Sequence, residues 1–124
     1  MFQMLYAAHP ADARHPAHAL AQASARPLDT PPGTVLVRVS GELDLDTVHV
    51  LRTALTAYQA QRTIVDLSRV TFADSSLFHT LHDHRDQRLV LTGPCTRQLA
   101  EVLALTGAAD LFPLAPDSEA AQAM

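Results

Sequence analysis

The sequence predicts a single α/β domain, and three observations carry that reading. Short β-branched runs alternate with segments of helical apolar spacing. The firm strand signals are Thr34–Ser40 (TVLVRVS), Thr63–Leu67 (TIVDL) and Arg88–Thr92 (RLVLT), and Thr63–Leu67 is short and apolar enough to be central in a sheet. The length of 124 residues allows one domain and disfavours two.

Taken in order, Met1–Pro32 is rich in Ala, His and Pro. Prolines at 10, 16, 27, 31 and 32 interrupt any long helix. Residues 1–18 read as a poorly ordered extension, although Phe2–Tyr6 can pair as an edge strand, and 19–124 as the domain. Ala19–Arg26 is expected to be a first strand, and Leu28–Gly33 (LDTPPG) a turn. After Thr34–Ser40, Asp46 or Thr47 caps a helix whose stripe is Val48, Leu51, Leu55 and Tyr58. Beyond Thr63–Leu67, Ser68–Asp74 (SRVTFAD) reads as a turn. Asp74, Ser75 and Ser76 are N-cap candidates for a helix carrying Leu77, Phe78 and Leu81. Thr96 caps a further helix with Leu99, Val102, Leu103 and Leu105 as its apolar positions, and Gly107 stops it. Leu111–Leu114 is a last short strand, and Asp117-Ser118 opens a final helical turn.

Composition excludes several functions. Thirteen acids against nine bases, all arginine, give a net charge of −4, which argues against bulk binding to nucleic acid or anionic membrane. The lone Cys95 cannot form an intramolecular disulfide or a multi-cysteine zinc site. No apolar run approaches the ~20 residues of a spanning helix. The N-terminus lacks a basic n-region, so a cytoplasmic protein is expected. No phosphate-cradling GxxxxGK[ST] and no Gly-x-Ser-x-Gly is present.

The candidate chemistry centres on Asp74-Ser75-Ser76. The simplest role of these residues is capping. The sharper one is a regulatory phosphoserine, since phosphate adds about −1.5 to −2 charges. Glu42, Asp44 and Asp46 follow the preceding strand. If the two loops meet at one end of the sheet, the mouth is acidic and a phosphate there breaks an interaction rather than building one. His79, His82 and His84 cluster with Asp83 and Asp86. His79 and His82 are neighbours on a helix surface, and two histidines with a carboxylate can hold zinc. A solvated polar face is the simpler account. His9, His15 and His18 can chelate adventitiously, and clustered histidines can sense pH.

VRVSGELDLDTVHVLRTAL, then TIVDLSRVTFADSS, then RLVLTGPCTRQLAEVLALTGAADLFPL resembles the STAS family of anti-sigma-factor antagonists. The resemblance runs from about Ala19 to Leu114. It rests on Gly41–Asp44 (GELD) after a valine-rich strand, Asp-Ser-Ser after an apolar strand, and Leu103–Gly107 (LALTG) before a phenylalanine-containing strand. It implies a mixed sheet of four to five strands with about four helices, and a switch rather than an enzyme. Such a domain binds an anti-sigma factor that is also a serine kinase, releasing a sigma factor; phosphorylation of the second serine blocks binding, and a phosphatase restores it. Carried over by motif, the acceptor is Ser76, with Ser75 as the alternative. The docking surface comprises Glu42, Asp44, Asp46, Thr47, Asp74, Ser75, Ser76, Leu77 and Phe78. No cofactor is implied.

This chain departs from the family pattern twice. Where the family continues Ser-Gly-Leu-Gly, it has Ser76-Leu77-Phe78-His79, and both glycines are gone. The stretch from Ser76 to the next strand is shorter by roughly two helical turns, so the helix is expected to be stubby or its exit tight. A second hypothesis therefore keeps the fold and drops the phosphorylation: a divergent STAS scaffold or complex subunit. A third is a small metalloenzyme using His79 and His82.

Overall fold

A computed structural model describes residues 4–7, 21–29, 31–58, 62–94 and 96–124. The elements follow the order β1 (Met4–Ala7), β2 (Gln22–Pro27), β3 (Thr34–Leu43), α1 (His49–Thr56), β4 (Arg62–Ala73), α2 (Ser75–Asp83), β5 (Leu89–Thr92), α3 (Arg97–Leu105), α4 (Ala108–Leu111), β6 (Leu114–Ala115) and α5 (Ser118–Gln122). They form a mixed sheet in sequential order, β1 to β6. β1, β2 and β3 are antiparallel neighbours, whereas β3, β4, β5 and β6 run parallel. The expected four to five strands make up the body, β2–β6, and Met4–Ala7 adds the outer edge. The rest of the 1–18 extension lies outside the described residues, as do Ala19, Leu20, Cys95, His9, His15 and His18.

The two sheet faces follow strand alternation. On β3, Val35, Val37 and Val39 point into the main core, where Leu51 and Leu55 of α1, Leu77 and Leu81 of α2, Leu99 and Leu103 of α3, and Ala108 and Phe112 meet them. Leu36, Ile64 and Val90 face the other way and are covered by Ala121 of α5. Farther along that second face the residues turn polar. Arg38, Asp66 and Thr92 sit side by side on β3, β4 and β5. Arg38 lies 3.6 Å from one Asp66 oxygen, and Thr92 donates to the other at 3.2 Å. Only the part of this face under α5 is therefore apolar.

β4 is the longest element, and it corrects the expected turn at Ser68–Asp74. The pairing with β3 continues to Leu43↔Ala73. It does so through two irregularities, each placing one extra residue in β4: Arg38 and Ser40 face Asp66 and Arg69, and Gly41 and Glu42 face Val70 and Phe72. The buried positions then fall at Leu67, Val70 and Ala73, three apart rather than two. Plain alternation is lost, so the segment lacks a strand signature. Gly41 faces the second irregularity with φ +90°, a conformation glycine adopts without Cβ strain.

Three other expectations change. Leu105 is 87% exposed, because it lies about 200° around α3 from buried Leu103. Leu111 ends α4 instead of opening a strand, its N–H bonding to Gly107 O, and the last strand is Leu114–Ala115. Arg88 is not yet strand: it takes φ +54° after a three-residue 3₁₀ turn, Arg85–Gln87. That tight exit is how nine-residue α2 reaches β5 directly, as the short spacing requires. Gly107, at φ +87°, ends α3 as expected.

Two adjacent residues of α2 should respond oppositely to truncation of their polar or apolar character. Leu81 is fully buried, so Leu81→Ala should cost about 2–5 kcal/mol in urea unfolding. Thr80 is also buried, yet its hydroxyl has no hydrogen-bond partner among the described residues. Thr80→Val should be neutral or stabilising by roughly 1 kcal/mol in the same assay.

Candidate functional site

The site grows from the carboxyl ends of β3 and β4. Because these strands are parallel neighbours, the loops that leave them emerge side by side. The ladder also reaches into the loops, for Asp74 N–H donates to Leu43 O at 3.1 Å. Asp44 and Asp74, the residues after the last ladder pair, thus lie at one end of the sheet.

The first loop is an Asp-organised turn. Asp44 Oδ1 accepts from Asp46 N–H at 2.9 Å and from Thr47 N–H at 3.0 Å. Thr47 Oγ1 accepts from Asp44 N–H at 3.0 Å and donates to Glu42 O at 2.8 Å. These bonds occupy the groups that would otherwise cap α1. The N-cap of α1 is Val48, with no side-chain cap, so the expected capping role of Asp46 or Thr47 falls instead to the Asp44 turn. Asp46 is exposed, whereas Glu42, Asp44 and Thr47 are half-buried. The same turn holds out Leu45, 80% exposed.

The second loop is a helix cap. Asp74 has extended backbone angles and accepts from Ser76 N–H at 2.8 Å. Ser75 is exposed and Ser76 half-buried in the first turn of α2. Phe72, paired with Glu42 across the ladder, is 41% exposed beside them. Leu77 is fully buried in the main core. It therefore cannot touch a partner and instead anchors the first turn of α2 from below. Phe78 is half-buried at the core margin, with the rings of His79 and His82 at 5.6 and 5.7 Å.

The corner between β4 and α2 has one further support, which sequence reading did not single out. β5 ends at Thr92, opposite Asp66, so it offers no backbone partner to the last residues of β4. Gln98, in the first turn of α3, replaces the missing strand. Its Nε2 donates to Ala73 O at 2.7 Å, and its Oε1 accepts from Ala73 N–H at 3.2 Å. Sequence reading also passed over Leu45 and Phe72. An apolar residue between two aspartates of a turn was the available signal for Leu45.

Chemically, this end of the sheet offers carboxylates, the three hydroxyls of Thr47, Ser75 and Ser76, and two exposed apolar side chains. Among the described residues, no three of His, Cys, Asp and Glu come together to hold a metal ion. No helix of the described residues is long and apolar enough to cross a membrane.

Comparison with known proteins adds the following. Residues 27–114 match a family model described as "Mlab, STAS domain". A search of curated proteins found no match. Among solved structures, an anti-sigma factor antagonist from Mycobacterium paratuberculosis is 28% identical, with a TM-score of 0.62 over 82% of this chain and 92% of that one. The anti-sigma factor antagonist SpoIIAA in its unphosphorylated form is 27% identical, with a TM-score of 0.58 over 73% and 86%. The phosphorylated form of SpoIIAA, a Bacillus cell fate determinant, is 25% identical, with a TM-score of 0.51 over 73% and 90%.

Replacing Gln98 by Leu should leave the Ala73 N–H and C=O without their partners. The expected loss is about 1–3 kcal/mol in chemical denaturation, with faster amide hydrogen exchange confined to the end of β4 and the start of α2.

Proposed function

The chain belongs to the STAS domain family, and from that premise we propose that it is a non-catalytic, protein-binding regulator: an anti-sigma-factor antagonist that docks an anti-sigma factor and is switched off by phosphate. The observation that carries this reading is the union of the Asp44 turn and the Asp74 cap at one end of the β3–β4 pair. The structural relatives named as anti-sigma factor antagonists, one of them phosphorylated, support it. The docking surface is Glu42, Asp44, Asp46 and Thr47 with Asp74, Ser75, Ser76 and Phe78, to which exposed Leu45 and Phe72 add apolar anchors. Leu77 supports that surface from the core.

Ser76 is the proposed phosphate acceptor and Ser75 the alternative. The kinase is the anti-sigma partner itself, and a phosphatase reverses the modification. The mechanism is mass action. Unphosphorylated protein competes with a sigma factor for one anti-sigma factor, and phosphorylated protein withdraws. Phosphate at Ser76 would arrive beside Asp74, whose carboxylate already accepts the Ser76 N–H. Like charge then opposes it and repels an acidic partner surface. A loss of about 3 kcal/mol in binding weakens affinity roughly 100-fold.

A second reading is favoured by two observations. The matching family model is described as Mlab rather than as an anti-sigma factor antagonist, and Leu77-Phe78-His79 stand where the family has Gly-Leu-Gly. In this reading the same surface docks a partner without phosphorylation, as a scaffold or complex subunit.

Two measurements separate them. Intact mass after incubation with ATP and extract of the source cells should show one added phosphate on the wild type and none on Ser76→Ala. Ser76→Asp should weaken binding to the captured anti-sigma factor about 100-fold. An unmodified wild type, together with full binding by Ser76→Asp, would establish the phosphorylation-independent module instead.

A further inference from the structure

The opposite end of the sheet carries a feature that the switch does not use. A cleft of about 690 Å³ opens where β3, β4 and β5 begin. Thr34, Arg62 and Leu89, the first residues of these three strands, all line it. It lies about 30 Å along β3 from the Asp44 turn, so the two sites share no residue.

Three of the nine arginines, Arg62, Arg85 and Arg88, line this one cleft, and no aspartate or glutamate does. Among the described residues none of the three makes an ion pair; the pair that is present joins Arg38 to Asp66. In a protein of net charge −4, three guanidinium groups around one concavity, none of them in an ion pair among the described residues, are a specific arrangement. Arg85 is also held in place, because its Nη1 donates to His82 O at 2.9 Å. Arg88 occupies the left-handed region at φ +54°, which a bulky residue seldom takes and glycine takes freely. This conformation ends the 3₁₀ turn and sets Arg88 at the start of β5, on the cleft wall. Apart from Thr34, the remaining side chains of the wall are apolar: Phe112 is buried, while Leu111 and Met124 are about half exposed.

Guanidinium groups present paired N–H donors that match the oxygens of a phosphate, and they are less strongly hydrated than ammonium groups. An apolar wall beside them selects an anion that carries an apolar group. The cleft volume lies within the range of small-molecule sites. We propose that this cleft binds a phosphomonoester bearing an apolar group, with Arg62, Arg85 and Arg88 holding the phosphate and Leu111, Phe112 and Met124 covering the apolar part. A soluble ester and a lipid headgroup share this chemistry.

The test is calorimetric titration of the full chain with naphthyl phosphate, with inorganic phosphate and naphthol as comparisons, and flotation with vesicles containing phosphatidic acid. Naphthyl phosphate is expected to saturate a single site and to bind more tightly than either comparison compound. Arg62→Gln and Arg88→Gly should each weaken it roughly 10- to 100-fold. Arg88→Gly is the discriminating variant. Glycine relaxes the φ +54° backbone, so this variant should unfold at the same or a higher temperature while losing binding. Binding to the vesicles alone, lost in both variants, supports the site and assigns the lipid as its source. The proposal is overturned if neither naphthyl phosphate nor vesicles bind, if the variants bind as the wild type does, or if inorganic phosphate binds as tightly as the ester. None of these outcomes bears on Ser76.

Discussion

The parallel pairing of β3 with β4 is the constraint on which the rest of this molecule depends. It joins the two longest strands at the centre of the sheet and carries its register through two extra residues in β4. Paired residue for residue from Arg38 and Asp66, Leu43 would face Thr71, and Asp74 would overrun the Asp44 turn. Parallel pairing also requires a crossover, and α1 supplies it. The same helix buries Leu51 and Leu55 against the sheet, so one element closes both the topology and the core.

From that pairing follows a division of labour around Asp74. Its backbone N–H extends the strand ladder, and its side chain starts α2. Leu77 then fastens the first turn of α2 into the core, and Gln98 ties the end of β4 to α3. The exposed residues at this end, Leu45, Phe72, Ser75 and Asp46, therefore sit on backbone that is held from three directions. A surface fixed in this way loses little conformational entropy on docking. Its two exposed apolar side chains, Leu45 and Phe72, stand among polar neighbours.

How far the sequence could be read depended on the range of the interactions involved. Thr34–Ser40 and Thr63–Leu67 were legible because burial on both faces leaves an almost continuous apolar run. The Thr96 and Gly107 boundaries of α3 were legible because capping is local chemistry, and so was the Asp74 cap. The far half of β4 was not, since its irregularities set a spacing of three that no simple period describes. The meeting of the Glu42–Thr47 and Asp74–Ser76 segments can be anticipated from strand order, but the motif that carries Leu77 onto the docking surface does not reveal that the core takes its side chain. Gln98 lies 25 positions from Ala73, and nothing local marks it. The arginine-lined cleft draws on residues from Thr34 to Met124, so it exists only once the sheet has formed.

The orientation of the helices has a consequence of its own. α1, α2 and α3 each start beyond the carboxyl end of a parallel strand and return the chain toward the other end. Their peptide dipoles are consequently aligned, with positive poles near Asp44 and Asp74 and the negative pole of α2 near Arg85. Carboxylates at one end and guanidinium groups at the other are what such an array of dipoles stabilises, before any partner or ligand is considered. The polarity of the domain is thus partly inherited from its chain direction. The carboxylates at those helix starts are held by the chain's own dipoles before any partner arrives.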